Sequence, residues 1–165
     1  MLARLRHRLG QFFGALHPHV SSDDRADAYR YLAPGEQRLF ETMMLRDQQH
    51  GIAVFCHIRA ALAHDDRQLL AAALLHDCGK GRVAVWQRVA HVVLGVAAPG
   101  LRLRIATERG AGWRRAFWRL LYHPDIGAEL ADGAGADADV VRIIREQESR
   151  HPDERLALFQ AADEA

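Results

Sequence analysis

The chain has 165 residues, and 49% of them are hydrophobic, so one domain with a sizeable core is expected. Its formal net charge is +1, but from Asp125 to the end eleven acids face four bases, which leaves +8 on the rest. That balance argues against a stable nucleic-acid complex while leaving local basic surface.

In chain order, residues 1–30 read as a basic amphipathic helix and a loop, and residues 31–165 as one helical domain. Leu2, Leu5, Leu9 and Phe12 recur at helical spacing with Arg4, Arg6 and Arg8 between them. Such a helix either packs on the domain surface or lies on an anionic membrane through residues 1–14. It leads into no apolar run of signal-peptide length. A cytoplasmic setting is expected, with Cys56 and Cys78 as small buried hydrophobes rather than a disulfide.

Residues 17–25 carry loop composition. Pro34 suits the first turn of a helix over 34–45. Asp47 is the predicted N-cap of a helix over 48–64, and Asp66 that of a helix over 68–78, which Gly79 ends in a left-handed turn. Further helices are predicted over 82–96, 101–108, 113–122, 125–132, 137–148 and 153–163. A loop falls at 133–137, and Pro152 suits the first turn of the last helix. The longest apolar stretch, 89–100, is interrupted by His91 and too short to span a bilayer. No segment shows strand alternation, so the fold class is all-α.

His76 and Asp77 stand side by side where an apolar run stops, with Gly79 and Lys80 close behind. Neighbouring side chains on a helix point about 100° apart, so the pair can share one ion only at a helix end. A third ligand would come from another helix. His50, His57 and His64 recur every seven residues on nearly one face. Seven residues rise about 10.5 Å, so only one of the three can reach a given ion.

An early helical histidine, then "LLHDCGK", then "HPDIGAELA", then "ALFQAADEA" resembles the HD-domain metal-dependent phosphohydrolases over roughly residues 34 to 165. The resemblance implies a compact multi-helix bundle. It further implies that His50, His76, Asp77 and Asp163 hold one divalent metal ion. Asp163 lies two residues from the end, so its helix has to dock through Leu156, Phe159 and Leu158. Some members of the family bind a second metal, and one of the histidines they use for it matches His123. A further His-His-Glu stretch in those members aligns with Glu146, Gln147 and Glu148, so a second metal is not favoured here. His151 is a spare imidazole nearby.

The implied mixed N/O ligand set suits Mn, Fe, Co, Ni, Zn or Mg without choosing among them. Such an ion activates water and polarises a phosphoryl group. The expected function is hydrolysis of a small phosphorylated substrate, a nucleotide or another phosphoester. Asp77 would orient the water as well as ligate the ion. Lys80 either offsets charge on the phosphate or sits solvated at a helix end. His123, before Pro124 at a helix junction, either faces the pocket or caps and packs. Arg102, Arg104, Arg109, Arg114, Arg115 and Arg119 could steer an anion, while the interleaved Trp113, Phe117 and Trp118 read as core or interface. The competing readings are an HD-fold regulatory or ligand-binding module without turnover, and a membrane-peripheral helical protein built around the basic N-terminal helix.

Overall fold

Leu69 to Leu75 run without a polar break, so no stripe of that segment is suited to face water. Every residue of the run is at most 2% exposed. The computed structural model describes residues 19–110 and 112–165. Among them the order is α1 (Ser22–Tyr29), α2 (Pro34–Thr42), α3 (Leu45–Ala61), α4 (Arg67–Leu75), a 3₁₀ turn (Cys78–Lys80), α5 (Val85–Ala97), α6 (Pro99–Ile105), α7 (Trp113–Gly133), α8 (Ala138–Glu146) and α9 (Glu154–Asp163). No strand occurs among the described residues, so the domain is all-α. The helix predicted over 1–14 lies outside the described residues.

Helix α4 is the axis of the core, flanked by α3 and α8, with α2 and α9 also against it. Its Ala71–Ala73 stretch lets neighbours come close. At Gly51 of α3 an added Cβ would lie 2.8 Å from the Leu74 carbonyl oxygen. The 3₁₀ turn after α4 packs on α7, and α5 and α6 form a hairpin resting on α7.

Several local expectations shift. Residues 17–25 are not all loop: α1 begins at Ser22, capped by Ser21, whose hydroxyl accepts from the Asp24 amide at 3.0 Å. Its only buried residue is Ala28, too little apolar periodicity to mark a helix. Asp66 caps α4 as expected, accepting from the Leu69 amide. Asp47 is not a cap. Helix α3 starts at Leu45, three residues before the predicted start, and ends at Ala61, so His50 sits in its second turn and His64 lies beyond it. Helix α4 stops at Leu75, and Gly79 is not left-handed; the positive φ, 61°, falls on Gly81. The helices predicted over 113–122 and 125–132 are one helix kinked at Tyr122. Asp153, not Pro152, begins α9 as its N-cap. Cys56 is exposed rather than buried, while Cys78 is buried.

Asp47 pairs with a distant arginine instead. Both of its carboxylate oxygens accept from Arg88 of α5, each at 2.7 Å, and its side chain is 3% exposed. This fork-to-fork pair ties the α5–α6 hairpin to α3. Asp47→Ala strands the Arg88 guanidinium, which is 14% exposed. We expect a loss of about 3 kcal/mol in urea unfolding. A loss under about 1 kcal/mol would show that the pair contributes little.

Candidate metal centre

The pair at the end of α4 is set by where the helix stops. His76 keeps helical angles, and Asp77 turns to φ −93°, ψ 3°, before the 3₁₀ turn begins. This bridge conformation swings the two side chains together, with His76 Nε2 3.3 Å from Asp77 Oδ1. Helix α3 brings His50 alongside; the two imidazole rings are 5.2 Å apart. His50, His76 and Asp77 each present one ligand atom, all within 4.8 Å of one another.

Asp163 arrives from the last helical position. Its Oδ1 lies 2.8 Å from His50 Nε2 and 3.3 Å from His76 Nε2. Helix α9 is docked by Leu156 and Phe159, both at most 1% exposed, with Leu158 partly buried beside them. Each full burial of that kind contributes about 1.5–3 kcal/mol. Arg155 adds a polar clamp, donating to Asp139 of α8 and to Asp66 at the cap of α4, each at 2.8 Å. Gln160 donates to the carbonyls of Gln147 and Ser149. The ring of Phe159 also stands edge-on against His76 at 5.4 Å.

His123 reaches the same point from α7, and Pro124 is the reason it faces that way. Proline has no N–H, so the carbonyl of Leu120 loses its intrahelical donor. The His123 Nδ1 replaces it, donating to that carbonyl at 3.1 Å. The other ring nitrogen, Nε2, is left with its lone pair toward Asp77 Oδ1 at 3.8 Å. Burial, reinforced by the Lys80 charge, pushes His123 down to about 4, so it is neutral at physiological pH.

His76 is oriented in the same manner, its Nδ1 donating to the Ala73 carbonyl at 2.8 Å. Burial opposes a charge on it, but Asp77 and Asp163 outweigh burial and bring it up to about 9. Burial would raise Asp77 and Asp163 too. His76 and Lys80 hold Asp77, and His50 and His76 hold Asp163, well below the usual carboxylate range.

The donor set fits a divalent cation. Asp77 Oδ1 is buried and has no hydrogen-bond partner among the described residues, an unusual state for an ionised oxygen. Its neighbours are imidazole ε nitrogens whose δ protons are committed to backbone carbonyls. With protein groups alone, a proton on His76 Nε2 occupies the space between two carboxylates. A metal ion there would take that proton's place.

The remaining candidates divide. The Lys80 ammonium is not simply solvated: it donates to Asp77 Oδ2 at 2.6 Å. That contact holds one carboxylate oxygen and leaves the other to the centre. Gln147 is buried, and its amide donates to the carbonyls of His76 and Ile144, so it braces the α4 terminus. Glu146, Glu148, His151, His57 and His64 are exposed. Cys78 sits against Gly127, and burial beside Asp77 pushes its thiol up to about 12. Two contacts were not expected from sequence: Arg119 donates to the Gly79 carbonyl, and Arg88 pairs with Asp47. An isolated arginine in a basic helix carries no signal of its partner, so neither was legible.

A sequence-family model for the HD domain matches residues 48–164, which include every residue placed at the centre above. No curated protein and no solved structure matches the chain. The family match spans most of the sequence, and the chain belongs to the HD domain family of metal-dependent phosphohydrolases.

Proposed function

We propose that this protein hydrolyses a nucleotide or another small phosphoester, using one divalent ion held by His50, His76, Asp77 and Asp163. The observation that carries the reading is the partnerless, buried Asp77 Oδ1 among ε nitrogens. A divalent ion there would lower the pKa of water and polarise a phosphoryl oxygen. The chain's own groups do the rest. Lys80 fixes Asp77 through Oδ2 and, with further N–H donors on its ammonium, can meet phosphate charge. His123, neutral and with Nε2 unprotonated, can accept a hydrogen bond and so orient a water, but at about 4 it is too weak a base to hold a proton near neutral pH.

The second reading is a ligand-binding module without turnover. It is favoured by Gln147, whose side chain is committed to backbone, so that a second metal lacks a ligand there. One experiment separates the two. The protein is assayed for metal content and for phosphate release from a panel of nucleotides and generic phosphoesters with Mn, Co, Ni and Mg. We expect metal-dependent phosphate release from at least one of them. Ligand binding with no product at any metal would transfer the assignment to the module.

A further inference from the structure

Helix α5 is turned inside out. It has no buried residue among its thirteen. Val85, Trp86, Val93 and Val96 are 48%, 57%, 46% and 50% exposed. At 3.6 residues per turn these positions, with the intervening Val89, fall on one stripe about 100° wide. The opposite side carries the polar residues. Arg88 turns in to Asp47, and His91 turns in toward the ring of Phe117. Helix α6 repeats the inversion. Arg102 reaches inward across Gly95 to donate to His91 Nε2 at 3.3 Å, while Leu101 and Leu103 are 47% and 57% exposed. A surface helix normally does the reverse. A continuous apolar face of this kind marks an interaction surface.

Charge selects the partner. Residues 78–124 hold nine lysines and arginines and one acid, Glu108. Arg82, Arg104, Arg114 and Arg115 are exposed around the hairpin. Two copies meeting face to face would set these cations against each other. The acidic C-terminal quarter of the chain, from Asp125, offers a second copy little apolar surface: among the described residues its only large exposed hydrophobic is Leu130. An anionic bilayer supplies both an apolar interior and a negative surface. We propose that the α5–α6 hairpin docks on anionic lipid, with Trp86, Leu101 and Leu103 entering the interface and the arginines at the headgroups. No helix among the described residues is long and apolar enough to cross a membrane, so the contact is peripheral.

Sedimentation of the full chain with vesicles tests this without reference to turnover. We expect binding to mixed phosphatidylglycerol–phosphatidylcholine vesicles, weakened by salt, and none to phosphatidylcholine alone. The double variant Trp86→Ser, Leu103→Ser should partition at least about tenfold less. Both side chains face solvent, so its thermal unfolding should be unchanged. Unchanged binding by the double variant would overturn the proposal. So would binding that survives in the double variant but is lost when Arg4, Arg6 and Arg8 are changed to Glu, which would assign it to the N-terminal segment. A dimer in sedimentation velocity that the double variant dissolves, with no vesicle binding, would overturn it in favour of self-association.

Discussion

Asp77→Ala will abolish metal-dependent phosphate release while the fold survives. The substitution removes the one oxygen at the centre that is buried without a hydrogen-bond partner among the described residues. It also removes one of the two carboxylates that favour the charged form of His76, and the partner that holds Lys80 in place. Loss of one preorganised electrostatic group costs about 10²–10³ in rate, and here the same group is a proposed ligand, so we expect a fall beyond about 10³. The fold should persist because Lys80 is already 20% exposed and can turn to water, while His76 can shed its proton. Metal gives a second readout. An ion at about 100 times its Kd stabilises the native state by about 2.7 kcal/mol, a rise of roughly 5–11 °C in Tm for a chain of this size. That rise should be present in the parent protein and absent from Asp77→Ala. A variant that keeps either the turnover or the metal-dependent rise would remove Asp77 from the centre, and the hydrolase mechanism with it.

Gly79→Ala should be the most damaging conservative change near the centre, although it touches no ligand. A Cβ at Gly79 would stand 2.1 Å from the His123 carbonyl oxygen and 2.7 Å from the Gly127 amide nitrogen. Both are backbone atoms of α7, so no side chain can yield to make room. The 3₁₀ turn and α7 must separate, which draws His123 away from Asp77. Forced expansion of a packed contact typically costs about 1–3 kcal/mol, and a clash with two backbone atoms belongs at or above the top of that range. A loss of about 3 kcal/mol lowers Tm by roughly 6–12 °C. Gly133→Ala is the matched control. It lies in α7, the helix on which the turn packs, with nothing within 4 Å of an added Cβ, and should be neutral or slightly stabilising. Calorimetry of the two variants decides the matter. Equal melting temperatures would mean that the approach of the turn to α7 is not required.

Sequence marks some parts of this fold and site and leaves others unmarked, for physical reasons. The helix carrying Leu69–Leu75 is strongly apolar and the one carrying Val140–Ile144 is strongly amphipathic, and such patterns place both within a few residues of their ends. The pairing of His76 with Asp77 at a helix terminus was legible because one apolar run stops abruptly at a polar pair. Asp163 could be linked to them only through family resemblance, because nothing local tells a ligand from a charged tail. Its actual anchor, Arg155 bridging Asp139 and Asp66, spans 89 residues of sequence. Glycine was informative in kind but not in cause. A glycine just past an apolar helix predicts positive φ at Gly79, whereas Gly79 is needed for close approach, and the positive φ is at Gly81. Asp47 looked like a cap because aspartate before a helical pattern is the usual signal. Its real partner, Arg88, is forty-one residues away. Local rules found the elements and their polarity. Ion pairs between distant segments had no local trace.

The centre has two unequal halves. His76 and Asp77, each 2% exposed, are fixed to the enclosed end of α4, while His50 and Asp163, 35% and 34% exposed, stand on helices with an open side. The first pair can shift only if the core shifts. The second can settle inward or outward by small side-chain rotations. Ions of different radius would therefore meet one rigid jaw and one adjustable jaw, and discrimination by size should be poor across the divalent series. Which ion the protein carries would then be set by supply in its surroundings rather than by selection at the centre.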